Sequence, residues 1–183
     1  MAQRFPELSD KLQKFIKQQK LFFVATAAAD GRVNLSPKGM DSLRVLDGNT
    51  IIWLNVTGSG NETAAHLEES RRMTLMFCAF EGAPLILRTF GEARAIYPKD
   101  PQWADYFAQL EPLPGARQIY ELSIDLVQTS CGAGVPLYDY VGERDALNNW
   151  NAAKSSEETR DYWREKNQFS IDNRPTHIMK RTD

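Results

Sequence analysis

The chain has 183 residues, 42% hydrophobic and 25% charged, enough for one domain with a sizeable core. Its 22 basic and 24 acidic residues leave a net charge of −2, which gives no electrostatic case for nucleic acid or anionic membrane as a partner. Residues 1–7 lack the apolar core of a signal peptide, and no apolar run nears the roughly 20 residues that span a bilayer. Cys78 and Cys131 cannot build a disulfide framework, so a cytoplasmic location fits best.

Leu8, Leu12, Phe15 and Ile16 fall on one face of an amphipathic helix with Ser9 placed to cap it. Residues 21–27 read as a strand, 29–31 as a hairpin-like turn, and 33–36 as a returning strand that meets Pro37. Residues 43–46 continue extended, and a tight turn at 47–50 leads into the apolar run 51–56. Next come Thr57, Gly58, Ser59, Gly60, Asn61, Glu62 and Thr63, then the helix formers Ala64, Ala65 and Leu67. Strand, glycine-rich turn and helix start follow one another, and a helix start exposes N–H groups that favour an anion. The plainer alternative is a strand-to-helix turn with Asn61 as N-cap.

Residues 73–80 form an apolar strand, and 84–97 a long extended segment in which Gly91 predicts a bulge or sharp bend. Asp100 and Pro101 start a helix with Trp103, Phe107 and Leu110 on one face. Tyr120, Leu122, Ile124 and Leu126 alternate with Glu121, Ser123, Asp125 and Val127, a half-buried strand. Beyond residue 136 the chain turns polar and helical. Arg144, Leu147 and Trp150 are a helical turn apart, and Ser155 with Glu158 makes a capping box. These elements predict a mainly β protein: a split β-barrel of about six antiparallel strands, over about residues 20–128, with flanking helices. The helical tail, about 142–183, is expected to pack on the barrel or on a partner subunit.

His66 and His177 are the whole histidine supply, and no Gly-x-Ser-x-Gly elbow exists, so hydrolytic triads are poorly served. Paired zinc-ligand spacing, a Rossmann loop and a P-loop are also missing. What remains are polar residues at strand ends. Ser36, Pro37 and Lys38 place a hydroxyl, a stiff turn and a cation together, although a solvated turn lysine explains Lys38 as well. Arg88, among Leu85, Ile86, Leu87 and Phe90, either reaches a ligand or pairs with an acid such as Glu92. Tyr138, Tyr140, Trp150, Tyr162 and Trp163 either cover a flat ligand or serve core and interface.

In their order and spacing, residues 22–26, 30–39, 57–67 and 73–77, extended by Ile86, Leu87, Arg88 and Gly91, resemble the pyridoxamine 5′-phosphate oxidase-like family of FMN-binding split barrels. The resemblance implies a homodimer with FMN in clefts between subunits, the flavin ring near Ser36 to Lys38 and its phosphate near Asn61, Glu62 and Thr63. It assigns cofactor contacts to Ser36, Pro37, Lys38, Val56, Thr57, Gly58, Ser59, Asn61, Glu62, Thr63 and Arg88. The oxidase proper has Ser-Arg-Lys where Asn61, Glu62 and Thr63 stand, so phosphate neutralisation falls to Lys38, Arg71, Arg72 or backbone N–H groups. Its substrate-gripping Arg-Leu-His stretch has no match near residues 135–138, which argues against pyridoxamine phosphate as substrate. The resulting expectation is an FMN-dependent oxidoreductase acting on a small molecule, with no metal. A non-catalytic carrier of flavin or a tetrapyrrole is the alternative.

Overall fold

The computed structural model describes residues 2–182. Its strands are β1 (Gln3–Phe5), β2 (Phe22–Thr26), β3 (Asn34–Lys38), β4 (Leu43–Val45), β5 (Thr50–Val56), β6 (Arg72–Cys78), β7 (Ile86–Ile96) and β8 (Ala116–Ser130). Its helices are α1 (Asp10–Gln18), α2 (Glu62–Glu69), α3 (Trp103–Phe107), α4 (Ala146–Ala152), α5 (Ser156–Tyr162) and α6 (Ile178–Thr182), with a π-helical turn at Trp163–Asn167. The strands form one antiparallel sheet in the order β3-β2-β6-β7-β8-β5-β4, with β1 paired to β8. This is the expected mainly antiparallel split barrel, here a half-barrel with eight strands rather than about six. No helix among the described residues is long and apolar enough to cross a membrane.

The longest strand, β8, pairs with β7, β5 and β1 and so carries the sheet. Apolar side chains of β2, β5, β6, β7 and β8 fill the concave side, with Trp53 against Tyr120 at 4.6 Å and Phe22 against Phe77 at 6.0 Å between ring centroids. Strand β5 is buried on both faces. Ile52, Leu54 and Val56 pack on its other side with Ile96, Leu110, Leu113 and Ile119, partly under α3. That double burial explains its continuous apolar sequence.

Two local readings change. Pro37 does not stop the second strand but lies inside β3, opposite Phe23. The strand is at the edge of the sheet, where a missing N–H costs no ladder bond. In β8 the apolar alternation slips: Val127 is fully buried and Leu126 only half-buried, the reverse of the period-two pattern. The register against β7 shifts between Phe90 and Gly91, so Asp125 is the extra residue of a bulge and every later side chain changes face. Gly91 is required there, because a Cβ would come within 1.9 Å of the Ser123 carbonyl oxygen.

Other details follow the sequence. Helix α1 buries Leu12 and Ile16, although the Ser9 side chain makes no capping bond. Ser155 and Glu158 form the reciprocal capping box at α5. Arg144 lies ahead of α4 rather than within it.

Candidate functional site

Strands β3 and β4 end the sheet path, and residues 39–42 join them with Met40 and Asp41 in the left-handed region, at φ 60° and 50°. Beside this loop opens a cleft of about 450 Å³, within the usual range for small-molecule sites. Strand β3 lines it with Asn34, Ser36 and Lys38, and with Pro37 at the exposed rim. The end of β5 adds Asn55 and Val56, and the turn into α2 adds Gly58, Ser59, Gly60, Asn61, Glu62 and Thr63. A wider cleft of about 1030 Å³ adjoins it through Gly39, Met40 and Ser42.

The fold therefore gathers nearly all residues singled out in the sequence. Thr57 is fully buried just behind the cleft wall: its hydroxyl donates to the Gly115 carbonyl at 2.9 Å and accepts from Trp163 Nε1 at 2.8 Å. Arg88 is elsewhere, on β7 between Met76 and Gln128, and its Nη1 donates to Ser130 Oγ at 3.2 Å. Its partner is thus Ser130 rather than Glu92. Arg71 and Arg72 are exposed beyond the far end of α2, outside the residues that line the cleft. Of the aromatics considered as a ligand cover, Trp163 is buried behind the turn and Trp150 packs on Tyr162, while Tyr138 rests on Phe80.

Asn61 sits at the N-cap position of α2, but its side chain does not cap. Its Nδ2 donates to the Asn167 carbonyl at 3.4 Å, and its Oδ1 accepts from Gln118 Nε2 at 3.2 Å. The first N–H groups of α2 are thereby left without the side-chain oxygen that usually satisfies them. Across the cleft, Ser36 Oγ donates to Asn34 Oδ1 at 2.9 Å, and Asn34 Nδ2 bridges Thr26 and Thr63 hydroxyls, each at 3.2 Å. That chain ends at His66, which faces Thr26 Oγ1 at 3.1 Å and is buried.

Arg117 decides the electrostatics. It lines the cleft, is 2% exposed, and among the described residues its guanidinium meets only neutral acceptors: Gln118 Oε1 at 3.0 Å, Asn167 Oδ1 at 2.7 Å and the Gly60 carbonyl at 3.0 Å. Burial lowers its pKa to about 10, so it remains charged at neutral pH. Lys38 stands in the same cleft with its ammonium 5.4 Å from the Trp53 ring centroid. Burial, helped by the charge of Arg117, lowers its pKa to about 8. A buried cation without a counter-ion is costly, several kcal/mol in order of magnitude. The buried Arg117 and the half-buried Lys38, beside unfilled helix N–H groups, make a seat suited to an anion. Arg117 escaped the sequence reading because it follows Pro114 and Gly115 at the start of a strand, where a charge usually faces solvent.

The glycines of the turn fit that seat. A Cβ at Gly58 would meet nothing within 4 Å, and at Gly60 only the Glu62 side chain. No contact among the described residues demands glycine at Gly58, and a backbone without a side chain leaves room for close approach from the cleft.

The sequence model of the pyridoxamine 5′-phosphate oxidase family matches residues 8–131, which hold the whole cleft except Leu147. The chain belongs to the pyridoxamine 5′-phosphate oxidase family. One relative, the pyridoxamine 5′-phosphate oxidase family protein ustO of Aspergillus flavus, is 43% identical over 140 residues, covering 74% of this chain and 56% of that protein. The chain thus spans little more than half the length of this curated relative. Among solved structures, HupZ of Group A Streptococcus superposes with a TM-score of 0.55 at 23% identity, over 67% of this chain and 98% of that one. HutZ, the heme storage protein of Vibrio cholerae, gives 0.50 at 19% identity, over 68% of this chain and 96% of that one. These two likenesses are of fold.

Proposed function

We propose that this pyridoxamine 5′-phosphate oxidase family chain is an FMN-dependent oxidoreductase acting on a small molecule, and that it works as a homodimer. The observation that carries the reading is Arg117, a buried guanidinium with no carboxylate partner among the described residues, in the wall of a cleft bounded by an uncapped helix start. A phosphate supplies the missing counter-charge. The family commonly binds flavins, and FMN carries such a phosphate. Arg117, Ser59, Thr63 and the backbone at Gly58 to Glu62 would hold the phosphate end, beside Asn34, which donates to Thr63 Oγ1 at 3.2 Å, and Ser36, Pro37 and Lys38 the ring end. Bound there, FMN supplies hydride and electron transfer.

The chain supplies position, charge and a dry wall. Lys38 is the cleft-lining cation set to stabilise negative charge, and with its pKa at about 8 it exchanges a proton near neutral pH. The neighbouring wider cleft gives a substrate access to the same loop, residues 39–42. Dimerisation is supported by Val33 and Leu35, 72% and 62% exposed along the β3 edge, where an open strand and apolar side chains lack a cover within the described chain.

Titrating the purified protein with FMN and with riboflavin, read by flavin fluorescence and thermal stability, tests the reading. FMN should bind and stabilise strongly, riboflavin much less. A protein that gains no stability from FMN sinks it. A carrier of flavin or a tetrapyrrole is the second reading, favoured by the lack of a paired acid and base among the cleft-lining residues. Iron–tetrapyrrole storage fits the donors poorly: neither His nor Cys lines the cleft, and His66 is held by Thr26 behind it. Bound flavin that no nicotinamide reductant reduces would select the carrier.

A further inference from the structure

We infer that the C-terminal tail is a working part of the anion site, in which Asn167 is a positioning residue for Arg117 and the glycine turn, so that site occupancy and tail docking are coupled. The inference rests on the anion-site reading above. It concerns residues beyond 131, outside the segment that defines the family.

Asn167 is fully buried in the π-helical turn, a kind of segment found disproportionately at functional sites. Its Oδ1 accepts from Arg117 Nη1 at 2.7 Å, while its Nδ2 donates to the Gly58 carbonyl at 3.0 Å and the Ser59 carbonyl at 3.5 Å. Its own carbonyl accepts from Asn61 Nδ2 at 3.4 Å and Thr176 Oγ1 at 2.6 Å. One residue thus touches the cation, the turn and the residue that opens α2. The neighbours fix the direction of the amide, since a guanidinium only donates and a carbonyl only accepts.

The choice of an amide is informative. An aspartate at this position would neutralise Arg117 and would have no N–H for the Gly58 and Ser59 carbonyls. An alanine would take from the guanidinium one of its three acceptors and from the turn the bonds to the Gly58 and Ser59 carbonyls. The amide alone holds both and leaves the positive charge of Arg117 unspent. Trp163, through Thr57 Oγ1 at 2.8 Å, and Asn151, through the Thr57 carbonyl at 3.1 Å, pin the start of the same turn. Gly115 makes room for Asn151, because a Cβ there would come within 2.3 Å of Asn151 Oδ1. If the docked tail raises anion affinity, the anion must by the same factor favour the docked tail.

The test uses the full chain and its Asn167→Asp and Asn167→Ala variants, with FMN and riboflavin as probes. Asn167→Asp hands Arg117 the counter-ion that a ligand would supply. It should leave the protein folded and cut the preference for FMN over riboflavin about tenfold or more. Asn167→Ala should speed amide hydrogen exchange at residues 57–61 without any ligand. In the unaltered protein, saturating FMN should slow proteolysis of the tail at residues 146–182, a measurement that needs no variant.

A folded Asn167→Asp protein with unaltered FMN preference overturns the positioning role. Tail proteolysis indifferent to bound FMN overturns the coupling. If the unaltered protein itself does not distinguish FMN from riboflavin, the anion-site reading has failed. Exchange at residues 57–61 in Asn167→Ala then judges the hold on the turn by itself, and unchanged exchange overturns it.

Discussion

The Glu62 carboxylate accepts the backbone N–H of Ile171, at 3.1 Å to Oε1 and 3.2 Å to Oε2. The acid that stands where the oxidase proper has a cation is therefore engaged by the tail. Glu62 thereby ties the turn to the tail, while the positive charge lining the cleft is that of Arg117 on β8 and Lys38 on β3.

Glu62→Gln keeps an acceptor oxygen for Ile171 and removes a negative charge from the cleft. Thermal stability should stay nearly unchanged while FMN affinity rises, by roughly 2- to 10-fold at the effective dielectric of a half-buried site. Glu62→Ala loses the bond as well and should cost about 0.5–1.5 kcal/mol. Isothermal titration with FMN and thermal melts separate the two effects. Weaker FMN binding by Glu62→Gln would mean that the carboxylate serves the ligand directly.

Lys38 predicts opposite pH trends for stability and binding. Its folded pKa is lowered from the ordinary 10.5 to about 8, so between these values the unfolded chain holds a proton that the folded chain has lost. Lys38 therefore makes the ligand-free protein more stable as pH rises through that window. An anion in the cleft wants Lys38 protonated, so FMN affinity should fall as pH rises through about 8, with Arg117 still charged. Lys38→Met should flatten both trends. Urea melts and FMN titrations between pH 7 and pH 10 measure them, and parallel slopes would contradict the assignment.

How much could be read beforehand depended on the range of the interactions. The turn at residues 57–67 was legible because strand, glycines and helix are local and each has its own signature. The bulge at Gly91 was legible as a bulge, but not its consequence, because the slip that buries Val127 depends on which β8 residue lies opposite. Arg117 was silent: its burial is created by Asn167, fifty positions later, and by the Gly60 carbonyl, brought across by strand pairing. Arg88, equally noticeable as a charge among apolar residues, instead occupies the convex side of the same sheet, next to Met76 and Gln128. A period-two pattern shows that a strand has two faces but not which of them meets the ligand.

Arg117→Met should separate stability from function. Gln118 Oε1 keeps the Asn55 amide at 2.9 Å, and the exposed Gly60 carbonyl can hydrate, so Asn167 Oδ1 is the acceptor left stranded. Relief of the guanidinium's desolvation offsets that loss, and the ligand-free melt should move by about 1 kcal/mol or less. FMN binding should weaken by roughly 2–3 kcal/mol, the worth of a hydrogen-bonded charge pair in a buried site, with riboflavin binding little affected. Equal losses for both flavins would place the phosphate elsewhere.

Two glycines give opposite outcomes for the same added methyl group. At Gly91 the new Cβ would lie 1.9 Å from the Ser123 carbonyl oxygen, a backbone atom that cannot rotate away. Gly91→Ala must therefore open the bulge between β7 and β8, and should cost about 3 kcal/mol or more, the scale of overpacking in a rigid core. At Gly58 the Cβ meets nothing within 4 Å, so Gly58→Ala should leave the ligand-free melt within about 0.5 kcal/mol of the unaltered protein. Its methyl group would enter the space beside Ser59 proposed for the phosphate, and FMN affinity should drop about tenfold while the fold is intact. A Gly58→Ala protein that binds FMN normally would move the phosphate away from this turn; one that melts early would show that the glycine serves the backbone instead.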